Sequence, residues 1–101
     1  MPKIHLIKKF EAGLPPIKKV SGEENTFTSG FWTLSEETAQ ALINGEIYFH
    51  EKQREPSFYG GKIVSIELVQ DKIVFKFIPS PDCKNIKTSQ DGWSQEMKIV
   101  L

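Results

Sequence analysis

The chain has 101 residues, 39% of them hydrophobic with seven Phe, which suffices for one domain with a single modest core and is too apolar for a disordered chain. Thirteen basic residues balance thirteen acidic ones, so the molecule lacks the cationic excess of a protein that lives by nonspecific phosphate contacts. One cysteine, Cys83, and two histidines leave no internal disulfide and no Cys/His zinc site. No apolar run approaches the ~18–20 residues of a membrane span. The start Met1-Pro2-Lys3-Ile4-His5 does not read as a secretory signal. A soluble protein of a reducing, cytoplasmic compartment is expected, with no membrane, metal or cofactor partner.

In chain order, Lys3 to Phe10 reads as a strand with Ile4 and Leu6 on one face and Lys3, His5 and Lys9 mostly on the other. Glu11 to Gly30 carries Gly13, Pro15, Pro16, Gly22 and Gly30 among polar residues, which predicts a long loop; Leu14-Pro15-Pro16-Ile17-Lys18 within it favours an extended path. A helix follows to about Asn44, capped by Thr33, which forms a capping box with Glu36, or by Ser35. Its rows Thr38/Leu42 and Ala39/Ile43 form the apolar side, and Gly45 is the expected left-handed stop.

Glu46 to Glu51 predicts a strand with Ile47 and Phe49 opposite Tyr48 and His50. Lys62 to Val69, with Val64, Ile66 and Leu68 inward, and Lys72 to Ile78, with Ile73, Phe75 and Phe77 inward, predict a hairpin around Gln70-Asp71. Pro79 and Pro81 end that ladder, Pro79 to Gly92 is a second long loop, and Glu96 to Leu101 closes as a last strand. Five strands, one helix and two long loops predict an α+β, mostly β domain: a small antiparallel barrel with a packed helix.

Catalytic motifs are absent: there is no phosphate-binding Gly-rich loop, His-Glu-X-X-His or nucleophile elbow. Cys83, beside Lys84, reads as a plain exposed thiol, and Ser57 has no evident base, so a non-enzyme is expected. Aromatics next to glycines, as in Ser29-Gly30-Phe31-Trp32-Thr33 and Ser57-Phe58-Tyr59-Gly60-Gly61, either wall a pocket for a planar ligand or plug the end of a barrel. Of the neighbours Phe58 and Tyr59, Tyr59 is expected outward because its hydroxyl wants a partner. Lys52, Arg54 and Lys62 bracket the second motif, as solvated surface charge or as a local phosphate patch.

Phe31-Trp32-Thr33, the strand Ile47-Tyr48-Phe49-His50, and Ser57-Phe58-Tyr59-Gly60-Gly61-Lys62-Ile63 together resemble the PUA-like superfamily, and within it the EVE and YTH type domains, over roughly residues 27–78. The resemblance implies a small barrel that binds RNA or a modified nucleobase in an aromatic pocket. The Gly-X-Lys-X-X-Glu-X-Arg motif of the ASCH branch is not matched, since Ile47 and His50 stand at its lysine and glutamate positions. The expected site comprises Trp32 with Tyr59 or Trp93 as stacking rings. Edge hydrogen bonds come from Ser57, His50 or the Gly60-Gly61 backbone, Lys52, Arg54 and Lys62 meet phosphates, and Thr33 beside Trp32 is counted among the binding residues. The alternatives are a protein-interaction module, acting as accessory or inhibitor, and a small-molecule binder using the same pocket.

Overall fold

A strand at each end of the chain is stitched to its middle. The structure, a computed structural model, describes residues 2–7, 18–19 (backbone only), 25–94 and 97–101. Its elements are β1 (Lys3–Ile7), β2 (Lys18–Lys19), β3 (Phe27–Thr28), α1 (Glu36–Ala41), β4 (Glu46–His50), β5 (Tyr59–Val69), β6 (Lys72–Pro79), a 3-10 turn (Pro81–Cys83) and β7 (Met97–Val100). The expected continuation of the first strand to Phe10, the Leu14–Ile17 extended piece and the Glu96 start of the last strand lie outside the described residues.

The strands form one sheet in the order β2-β3-β6-β5-β4-β1-β7. Every pairing is antiparallel except β1 with β4, where Ile4 faces Ile47 and Leu6 faces Phe49. A parallel pair needs a crossover, and the segment containing β2, β3 and α1 supplies it. Among the described residues no ladder joins β2 to β7, so the sheet is open where a closed barrel of five strands was expected. The two additional strands are the two-residue pieces β2 and β3, in the stretch that glycines and prolines marked as loop.

Alternation along the strands sorts the core. Ile4, Leu6, Ile47, Phe49, Ile63, Ile73, Phe75 and Phe77 bury completely on one face, with Trp32, Ala39 and Leu42 packed over them. On β5 the expected pattern fails because a bulge falls between Ile63 and Ser65. The extra residue shifts the face by one, so Ile63 turns in and Val64 is left 38% exposed. Ile66 keeps its inward place, while Leu68 projects near the hairpin tip at 55% exposure.

Helix α1 is capped by Ser35, whose hydroxyl accepts from the Thr38 amide at 3.1 Å; Thr33 instead accepts from Lys72 Nζ at 3.2 Å. The helix ends sooner than expected, and the left-handed residue is Asn44 at φ 74°, not Gly45. Gly45 answers a different need: a Cβ there would run into the carbonyl oxygen of Pro2, which accepts from the Glu46 amide at 3.0 Å. The bare backbone lets the start of β1 dock on the start of β4.

Candidate functional site

The opposite face of β1, β4 and β7 holds a row of polar and aromatic side chains. Register places Lys98, His5 and Tyr48 side by side, with Gly60 next in line and His50 one step along β4. All four side chains are buried, because residues of the segment after β6 cover this face. Gly60 leaves room for that cover: a Cβ there would strike Ile47 O and press on Cys83 Cβ at 2.8 Å.

Ser57 holds the cover in place. Its hydroxyl donates to Cys83 O at 2.6 Å and accepts from the Ile86 amide at 3.0 Å. Its own backbone exchanges two more bonds, to Ile86 O at 2.9 Å and from the Asn85 amide at 2.7 Å. Farther along, Lys98 Nζ donates to Ser89 O at 2.8 Å and Ser89 Oγ at 2.9 Å, and Gln90 Nε2 reaches Gln53 O at 3.2 Å. These ties bring the half-buried Trp93 against the histidines.

The resulting cluster is tightly ordered. His5 stacks on Tyr48 with ring centroids 4.7 Å apart and planes 13° from parallel. His5 Nδ1 and His50 Nε2 lie 2.9 Å apart, and His50 Nδ1 is 2.8 Å from the backbone carbonyl of Glu55. Trp93 meets His50 edge-on at 5.5 Å and lies 6.2 Å from His5. Its Nε1 is the one buried side-chain N or O atom without a hydrogen-bond partner among the described residues. Buried donors in folded proteins are nearly always paired, so this one calls for an explanation.

Burial sets the protonation states. It holds His5 down to about 4, helped by the nearness of the second imidazole, His50, and by the Lys98 and Lys3 charges. His50 is also lowered by burial, against the opposing pull of the Glu55 carbonyl. The Tyr48 phenol is raised by burial and by donating to Glu46 Oε1 at 2.8 Å. Both imidazoles are therefore neutral near pH 7.

Of the expected site residues, the structure gathers His50 and Trp93 and disperses others. Trp32 is 1% exposed inside the core, with its indole N–H on Ser29 O at 3.0 Å, so it is an anchor and offers no face for stacking. Tyr59 turns toward the core, edge-on to Phe27 and Phe77, because the β5 ladder begins at Tyr59 and sets it on the Ile63 side; its phenol is raised by burial. Thr33 stands exposed beside Lys72, near the far end of the β5–β6 ribbon. Ser57 is a buried clip, and Gly61 is required because a Cβ would strike Ile78 O.

Lys52 and Arg54 are exposed on the turn that follows His50, and Lys62 is exposed opposite Glu46. Cys83, expected exposed, is buried, and burial with the Glu46 and Asp82 charges pushes its thiol up to about 11. His5, Tyr48 and Lys98 were missed as site residues. Their alternation was visible, but the β1–β4 and β1–β7 pairings that align them were not. Among the described residues no helix is long and apolar enough to cross a membrane, and no group of three or more His, Cys, Asp or Glu is placed to hold a metal ion. No family model matches the chain, and no curated protein or solved structure matches it.

Proposed function

We propose that the chain is a non-catalytic binding module that reads a nucleobase, in single-stranded or modified nucleic acid, at the half-buried ring of Trp93. The observation that carries this reading is the unpaired indole N–H of Trp93 beside neutral, aromatic neighbours. A base would supply a flat partner for the ring and an acceptor for the donor. Lys52 and Arg54 flank the cluster because the 51–55 turn is tied to His50 through Glu55 O and to the 86–93 segment through Gln53 O. With Lys62 they would meet the backbone phosphates.

The non-catalytic part is supported by how the reactive groups are engaged. The histidines bond to each other and to a carbonyl, the Ser57 hydroxyl donates to Cys83 O, and the thiol stays protonated. The likeness to PUA-like, EVE or YTH type domains belongs to this proposal, and the mostly β architecture with one short helix is compatible with it. A protein-interaction module is the second reading, favoured by the exposed Val64, Leu68 and Ile78 on the β5–β6 ribbon.

Titration of fluorescent single-stranded RNA and DNA, modified and unmodified, at several salt concentrations tests the choice. Three phosphate contacts at ~0.7 each give a log–log slope near −2. Trp93→Ala should remove binding while thermal unfolding shows the variant folded. Absence of binding by every strand at low salt would hand the face to a protein partner.

A further inference from the structure

The hydrogen-bond chain through the two histidines has a fixed direction. A carbonyl oxygen only accepts, so the contact at 2.8 Å between His50 Nδ1 and Glu55 O requires a proton on His50 Nδ1. A neutral His50 then carries a lone pair on Nε2. The 2.9 Å contact to His5 must be donated by His5 Nδ1–H. That leaves the lone pair of neutral His5 on Nε2, which has no hydrogen-bond partner among the described residues. The stack on Tyr48 holds the ring plane, so the acceptor keeps one orientation.

Trp93 presents the opposite polarity. Its Nε1–H is a buried donor without a partner, and its ring centroid lies 6.2 Å from that of His5. Resting on the base-reading function proposed above, we infer that the site selects a base edge carrying an unsubstituted N–H beside an acceptor, with His5 Nε2 receiving the N–H and Trp93 Nε1–H bonding the acceptor. A base methylated on that edge nitrogen loses the only group His5 can receive and leaves the Nε2 lone pair unpaired against the bound base. His5 and Trp93 thereby become specificity residues, where the aromatic pattern alone assigned only stacking.

Two measurements test this. Nitrogen-15 NMR of the free protein near pH 7 should show both histidines as the Nδ1–H tautomer; a proton on His5 Nε2 overturns the inference and leaves the base-reading function standing. Titration should then compare a uridine oligonucleotide with one built from N3-methyluridine, in which methyl replaces the single ring N–H. The methylated strand should bind roughly tenfold or more weakly. Trp93→Phe, which keeps a ring but removes the donor, should weaken both strands and preserve their ratio. His5→Phe, which can still stack on Tyr48, should bring the ratio near one. Equal affinity of wild type for the two strands overturns the edge selection alone, whereas failure of both strands to bind overturns the selection and the base-reading function together.

Discussion

His5 shows how one buried ring makes folding depend on pH. Lys3, Tyr48, His50, Trp93 and Lys98 surround it, and its folded pKa of about 4 lies below the ordinary 6.5. Between those values the unfolded chain binds a proton that the folded one refuses, so stability rises with pH there. The contribution is complete above 6.5 and lost as pH falls toward 4; at ~1.36 kcal/mol per pH unit it reaches roughly 3 kcal/mol. Urea unfolding of wild type and His5→Asn from pH 7 to 4 isolates it, since the carboxylates cancel in the difference. Parallel curves for the two proteins would remove His5 as the cause. Ser57 makes a second prediction at this scale. Its hydroxyl serves Cys83 O and the Ile86 amide, so Ser57→Ala strands two backbone groups and should cost about 1–3 kcal/mol in the same assay. An unchanged midpoint would mean that the cover over the histidines is held elsewhere.

Among the elements, the hairpin and the helix end show what local sequence can and cannot reveal. Strand faces were legible wherever alternation ran uninterrupted, as in Ile73, Phe75 and Phe77, and illegible past the β5 bulge, which no residue type at 63–65 announces. At the helix end the glycine was visible, but the contact that requires it comes from Pro2, more than forty positions away in sequence. Asn44 takes the left-handed conformation instead, so Asn44→Gly should be neutral or slightly stabilising, while Gly45→Ala should cost about 1–3 kcal/mol through the clash with Pro2 O. Thermal unfolding of the two variants separates these roles; the reverse order of midpoints would restore Gly45 as the stop. The β5–β6 turn makes the complementary case. Gln70 at φ 49° and Asp71 at φ 66° both occupy the positive-φ positions of a primed two-residue turn, which Asn-Gly fits better. Replacing Gln70-Asp71 by Asn-Gly should raise stability by about 1 kcal/mol, and a lowered midpoint would show that the turn's side chains matter more than its backbone.

For the molecule as a whole, the decisive feature is the position of β1, and it was the least legible. Ile4 and Leu6 announced a strand with one apolar face, but nothing local to them specifies a parallel partner at 46–50 or an antiparallel one at 97–100. Strand choice is settled by which arrangement buries both sets of apolar residues while bringing His5 beside Tyr48, His50 and Lys98. The candidate site was hidden for the same reason, since its members come from β1, β4, β7 and the Trp93 segment. Chain ends ordinarily fray and exchange their amide hydrogens through local opening. Here β1 lies between β4 and β7, its backbone paired on both sides and Ile4 and Leu6 fully buried. Opening it would uncover the core and break the His5–His50 bond at once, so no small local motion frees its amides. Native-state hydrogen exchange should therefore find the Ile4 and Leu6 amides as protected as those of Phe49 and Phe75, at the free energy of global unfolding. Protection in β1 that falls short of β4 by orders of magnitude would mean that the terminal strand opens independently, and that the polar cluster opens with it.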